Sequence, residues 1–243
     1  MKNTLTAIIF GVAIIAAAYL LGDAFVNRNA KSKVLSITGL GETDFTSDLI
    51  VWEGNFQKEN ENLKVAYAAL AEDKKAVHDY LVSKGIDAEN IVFNAVNTGE
   101  NTRAKYSNDG RYIGQEFLGY VLSQSIKIES TDVEKVERIS REVTELLNKG
   151  VQFYSQSPRY YYTKLADLKI ELIKKATEDA RARAEMIASN SGAKLGELSN
   201  ANMGIFQITG QNSNEEYSWG GTFNTSDKDK TARITVKLEY EID

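Results

Sequence analysis

Cysteine is absent from the chain, and every chemistry that needs a thiol goes with it: a disulfide framework, a thiolate nucleophile, a Cys-ligated zinc or iron–sulfur centre, and the lipid attachment of a bacterial lipoprotein. The absence does not fix a compartment, because a domain of this length buries enough surface to fold without disulfides. Histidine occurs once, at position 78. One histidine without cysteine builds no usual zinc site, and no nucleophile is placed beside it for a Ser-His-Asp arrangement, so His78 reads as a surface or interface residue. A basic excess is also missing. Lys and Arg number 29 against 34 Asp and Glu, a net charge of −5, with the signs interleaved, which excludes a general nucleic-acid binder. Hydrophobic content of 42% and charged content of 26% exclude both disorder and a multi-span membrane protein.

What is present begins with an apolar run. Thr4 to Gly22 carries no charge until Asp23, and as a helix it reaches roughly 28 Å, close to the hydrocarbon thickness of a bilayer. A buried core helix of this length would need a polar face and a cap. Residues 1–28 are therefore read as a membrane anchor or signal peptide. Lys2 supplies a signal-like positive start, and Gly22-Asp23-Ala24 offers small residues for a peptidase, but the run exceeds the usual apolar core of a signal, which favours an uncleaved anchor. Arg28, Lys31 and Lys33 count toward a cytoplasmic C-terminal side; a short span ahead of a whole domain is nonetheless the usual design of a tethered extracytoplasmic protein.

The remainder, 34–243, suits one large domain or two packed halves. Val34 to Glu42 reads as a short strand ending in Gly39-Leu40-Gly41, and Ser47 to Lys58 as a second. Leu63, Tyr67, Leu70, Lys74, Val77 and Leu81 recur at helical spacing, with Gly85 placed as a C-terminal cap. A strand over Ile91–Asn97 precedes a polar, turn-rich stretch through Asn101, Asn108, Asp109 and Gly110. From Gln115 to Glu129, Leu118, Tyr120, Leu122, Ile126 and Ile128 alternate with polar residues in a long half-buried strand. Thr131 and Glu134 form a capping-box pattern ahead of a second helix along Val133, Val136, Ile139, Val143 and Leu146 or Leu147, ended by Gly150. An aromatic strand over 151–163 carries Pro158, the one proline, which points to an edge, a bulge or a bend. The third helix, about Lys164 to Asn190, narrows to Ala176, Ala180, Ala184 and Ala188, small enough for close approach to a sheet or a partner helix. A strand near Leu198–Thr209, a polar stretch over 210–230 and a strictly alternating last strand from Ala232 to Ile242 follow. Strand–helix–strand occurs twice, which predicts an α+β (α/β sandwich) fold: a mixed, largely antiparallel sheet with helices on one face and a long third helix.

Chemical motifs are sparse. Gly39-Leu40-Gly41 lacks the third glycine and the lysine of a nucleotide loop, and a strand follows where phosphate binding wants a helix N-terminus, so a strand turn accounts for it better. Glu53 with Glu59, or Asp44 with Asp48, could form an acid pair for a hydrolase, but nothing in the sequence makes them converge and solvated charge is the plainer account. Tyr160, Tyr161 and Tyr162 cannot all face inward on one strand, and Trp219 sits in the polar stretch, so these four residues are the candidate interaction surface against the alternative of ordinary core and loop packing. No cofactor or metal site and no catalytic residue is read.

Taken together, Val34 with Gly39-Leu40-Gly41-Glu42, Gly119-Tyr120 leading into Ser123–Ile128, Ala176, Ala180-Arg181-Ala182-Arg183-Ala184 and Ala188, then Gly192, Leu195, Gly196 and the alternating last strand resemble the SIMPL-domain family of bacterial envelope proteins, which includes a periplasmic immunogenic group. The likeness covers nearly all of 34–243. It implies an exported or envelope-anchored protein with no established catalytic mechanism, oligomerisation, and a loose association with stress defence; no catalytic residue transfers. The expectation is a non-enzymatic cell-envelope protein, anchored in the inner membrane with its domain in the periplasm or secreted there. It self-associates through alanine-rich helix or aromatic strand surface and binds no nucleic acid. The alternatives are a module that binds an envelope glycan or peptide through the tyrosine run under a 210–230 lid, and a carboxylate-based hydrolase.

Overall fold

A computed structural model describes the backbone of residues 2–28 and 34–242, and the side chains of 10–23 and 34–242. The first element is helix α1 (Lys2–Arg28). Among the described residues no helix is long and apolar enough to cross a membrane; the anchor or signal predicted over 1–28 lies partly outside them. The rest is α+β with antiparallel pairing, as expected, but in two sheets where one is expected, and it divides into two compact units, one formed by 1–42, 171–205 and 234–243 and the other by 43–170 and 206–233. The boundary falls within three elements: strand β1 (Val34–Thr46), helix α4 (Leu165–Asn190) and strand β10 (Asp229–Ile242).

The larger unit is built on strand β5 (Tyr112–Ser130). Antiparallel to it run β2 (Leu49–Asn60) on one side and, on the other, β3 (Ile91–Phe93) and β4 (Asn97–Tyr106). Short strands β6 (Phe153–Ser155) and β7 (Arg159–Tyr161) lie on the far edge of β2. The register sets Trp52 opposite Ile128, Gly54 opposite Ile126 and Lys58 opposite Leu122, which puts alternate residues of both strands on one face, as the pattern of β5 predicts. Helices α2 (Leu63–Ser83) and α3 (Val133–Glu142) pack on that face. The resulting core holds Ile50, Trp52, Phe56, Leu70, Val77, Ile126 and Ile139, each worth roughly 1.5–3 kcal/mol of burial.

Several local readings change. The buried face of α2 runs through Ala66, Leu70, Asp73, Val77, Tyr80 and Leu81, while Leu63 and Tyr67 are exposed. The helix turns this way because Asp73 meets Lys58 of β2 at 3.0 Å and the Tyr80 hydroxyl donates to the Glu142 carbonyl at 3.1 Å. Helix α3 is capped by Asp132, which accepts from the Lys135 N–H at 3.2 Å, and not by Thr131; the Glu134 carboxylate is engaged by Lys228 at 2.7 Å. The aromatic segment breaks at Pro158 into β6 and β7. The strand expected over 198–209 is likewise two, β8 (Leu195–Met203) and β9 (Gln207–Gly210). The largest change is β4: its ten residues read as loop because none is strongly apolar before Tyr106, yet they pair along β5 from Asn97 opposite Ser123 to Tyr106 opposite Tyr112.

In the smaller unit β8 pairs antiparallel with β10, Val236 opposite Met203 and Tyr240 opposite Leu198, and β10 also neighbours β1. Gly39 and Gly41 do not turn the chain. They lie inside β1, and a Cβ on either would stand 2.1 Å from a helix α4 carbonyl, that of Ala176 or of Leu172. The alanine stripe thus meets its own strand: Ala176, Ala180, Ala184 and Ala188 are all buried. The Leu40 N–H donates to Asp179 of the same helix at 2.9 Å, and this bond, with the neighbouring Arg183, holds the Asp179 carboxyl below the usual carboxylate range. The alanine face, expected to serve self-association, is covered by β1 instead.

Gly39→Ala or Gly41→Ala is expected to cost about 1–3 kcal/mol or more by overpacking, whereas Gly220→Ala, whose new Cβ meets nothing nearer than Ser218 Oγ at 3.9 Å, stays within about 0.5 kcal/mol. Urea midpoints of the three variants decide it; equal midpoints would contradict the close strand–helix contact.

Candidate functional site

The candidate surface residues fall in different surroundings. Tyr160 is buried, Tyr161 and Tyr162 are half-buried, and Tyr162 packs against Phe45 with ring centroids 4.8 Å apart. Burial, with Glu137 nearby, raises the Tyr160 phenol above its ordinary value. Trp219 stands 97% exposed on the polar loop. That loop is tied at both ends. Gln207 bonds the backbone of Ser218 and Thr222, Ile208 and Phe223 bridge in parallel, and the Tyr160 N–H donates to the Thr225 carbonyl at 2.8 Å.

Beneath the loop lies a polar cluster that the sequence did not mark, with Asn224 and Lys230 buried and Glu215 and Asp227 exposed. Asn224 donates to Glu215 at 2.7 Å and to Asp227 at 2.8 Å, and Glu215 also accepts from the Gly210 N–H. Lys230, only 2% exposed, donates to the Tyr160 carbonyl at 2.6 Å. Alternation on β10 puts Lys230 on the inward face with Ala232 and Ile234, where a charge was not expected. Burial pushes its ammonium down to about 8 while Asp227 and Glu215 hold it up. These contacts bring part of the 210–230 stretch against the tyrosine run, but they clamp it, and Trp219 stands out in solvent away from the tyrosines.

The other candidates are each occupied. Asp48 accepts from the Thr163 backbone and hydroxyl, both at 2.7 Å. Asp44 accepts from Thr231 at 2.6 Å and Gln211 at 3.0 Å. Glu53 pairs with Arg159 at 2.9 Å, and Glu59 accepts from Asn101. His78 is half-buried, 3.5 Å from Asp79 and beside Phe93. Among the described residues no three His, Asp or Glu side chains converge to hold a metal. A shallow cleft of about 470 Å³ lies at the α2 end and α3 start, with Asp87, Glu129, Asp132 and Lys135 among its walls; Asp132 and Lys135 in it bond each other at 2.7 Å.

The surface that the sequence reading missed is the hairpin β4–β5. Strand β2 accompanies β5 only from Tyr120 onward, so residues 101–106 and 112–119 form a two-stranded arm. Two extra residues, Ile113 and Leu118, bulge from β5 where the register shifts, and Gly119 meets the second bulge with φ +140°, its missing side chain letting the Asn60 carbonyl come within 2.9 Å of where a Cβ would be. Arg103 bonds Glu116 across the arm at 2.8 Å, which holds the Glu116 carboxyl low. Tyr106 meets Tyr112 edge-on at 6.0 Å, and Phe117 meets Tyr120 at 5.1 Å. Yet Tyr106, Tyr112, Ile113, Phe117 and Leu118 are all exposed. The signal was there in Asn108-Asp109-Gly110, a turn sequence with aromatic residues on both flanks.

A family model described as SIMPL, a protein of unknown function (DUF541), matches residues 35–240. The chain belongs to the SIMPL family. Comparison with the curated proteins found no match.

Because the folded-state value of Lys230 lies below its ordinary 10.5, the unfolded chain binds that proton more strongly between about pH 8 and pH 10.5, and this group makes stability rise across that window. Lys230→Met is expected to remove that rise. Urea midpoints at pH 7.5 and 9.5 measure it, and an unchanged pH dependence in the variant would contradict the buried ammonium.

Proposed function

We propose that the protein is a non-enzymatic component of the bacterial cell envelope that works by self-association. It is held by its N-terminal apolar segment in the inner membrane with the SIMPL domain in the periplasm, or is secreted there if the segment is cleaved, and it contributes to envelope or stress defence. The observation that carries the reading is the β4–β5 arm: a ribbon with aromatic residues on its surface and open backbone on its outer edge, of a kind that is marginally stable alone in water. Exposed apolar patches of this sort mark interaction sites. The apolar run from Thr4 to Gly22 supports the membrane attachment. The carboxylates raised for a hydrolase are each spoken for by a structural hydrogen bond or ion pair, which favours a binding role over chemistry.

Full-length protein is expected to sediment with the membrane fraction, or to be released with the periplasm if cleaved, and to be cut by protease added to spheroplasts. In mild detergent it is expected to run as an oligomer by light scattering. Recovery as a cytosolic, protease-protected monomer would overturn the reading.

A further inference from the structure

We infer that the outer edge of β4 pairs with the same edge of a second copy, antiparallel and with Thr102 facing Thr102 across a two-fold axis. The inference rests on the self-association just proposed and names the surface that carries it. All ten residues of β4 pair on one side, with β5; among the described residues no strand lies on the other side. The strand itself is regular, since both bulges belong to β5, and it contains no proline. An edge of this length and regularity is a template for another strand.

Charge selects the occupant and the register. The β4–β5 hairpin from 97 to 118 carries Glu100, Asp109 and Glu116 against Arg103, Lys105 and Arg111. It is neutral on a chain of net charge −5, so two copies repel least where these hairpins meet, and the hairpin has no excess of either sign to attract a nucleic acid or an anionic lipid surface. Directly opposite residues of antiparallel strands share a face of the sheet, and a two-fold axis returns each residue to its own face. A residue therefore faces itself or one an even number of positions away. Centring the axis on Glu100 sets Glu100 against Glu100, and centring it on Arg103 sets Arg103 against Arg103. Centring on Ala104 sets Arg103 against Lys105. Each of these places like charges opposite one another, which is destabilising.

Axes at Asn101 and Thr102 remain, each overlapping nine residues of β4, whereas an axis at Gly99 or nearer either end overlaps five or fewer. The axis at Thr102 sets Thr102 against Thr102, Arg103 against Asn101, Glu100 against Ala104, Lys105 against Gly99 and Tyr106 against Thr98. Thr–Thr and aromatic–β-branched pairs are among the favourable cross-strand pairs, and this register covers Tyr106, which stands 62% exposed. The axis at Asn101 leaves Tyr106 without an opposite residue within β4. Lys105, a typical guard of an exposed edge, is accommodated by the side-chain-free Gly99 of the second copy and stays a guard against other registers.

The chain's lack of cysteine makes the test direct. Full-length Thr102→Cys and Thr98→Cys variants, in membranes or mild detergent, are oxidised with copper phenanthroline and read as dimer on a non-reducing gel. Opposed Cα atoms at about 4.5–5.5 Å are within disulfide reach, whereas two copies of residue 98 are eight positions apart in this register, roughly 27 Å. At least tenfold more dimer is expected for Thr102→Cys than for Thr98→Cys. Equal cross-linking of both, or none at Thr102 while light scattering still shows an oligomer, would overturn the β4 register and leave self-association standing. A monomer by light scattering would overturn both.

Discussion

Strand β5 is nineteen residues long, and its cover ends partway along. From Tyr120 onward it has β2 on one side, β3 and β4 on the other and two helices across its face; before Tyr120 it has β4 alone. A β-sheet gains most of its stability from the face it buries and from backbone groups paired on both edges, so the two halves of this strand differ in kind. The buried half anchors Trp52, Ile126 and Ile128 in the core. The other half extends the same ladder into solvent with aromatic residues attached. An intact hairpin there is held by its continuity with the core sheet, by the Arg103–Glu116 pair and by the Tyr106–Tyr112 contact, and it leaves one backbone edge for another strand to complete.

The smaller unit is held by the opposite device, close approach in place of extension. Gly39 and Gly41 allow helix α4 to settle on β1 with its alanine stripe inward. What the sequence displays as two odd features, glycines inside a strand and alanines replacing leucines along a helix, is one contact seen from its two sides. That contact also explains why the small-residue helix face cannot serve a second copy.

Much of the fold was legible because the period-two alternation of β5 and β10 and the helical spacing of α3 and α4 are each enforced by one buried face. The family resemblance was legible for the same reason. Where the reading failed, no buried face disciplined the residues. β4 is exposed on nearly every position, so its composition follows solvent and not structure, and it looks like a loop. The face of α2 was misjudged because Asp73 and Tyr80 are buried through specific partners, Lys58 and Glu142, which no periodicity of apolar residues reveals. Lys230 was missed likewise, a charge on an otherwise apolar face, held by the Tyr160 carbonyl seventy residues away in sequence, with Asp227 and Glu215 nearby. The tyrosine run and Trp219 were visible as aromatic excess, but which of them reach solvent was decided by packing.

If the arm's open edge is the means by which copies meet, its outward amides must gain protection when they do. Hydrogen exchange of the full-length protein in mild detergent, followed across a hundredfold range of protein concentration, reads this directly. The account predicts that amides within 97–106 slow with rising concentration while those of β2 and the core half of β5 do not change. Exchange in 97–106 that is equally fast at every concentration, in a protein that is nonetheless oligomeric, would contradict it.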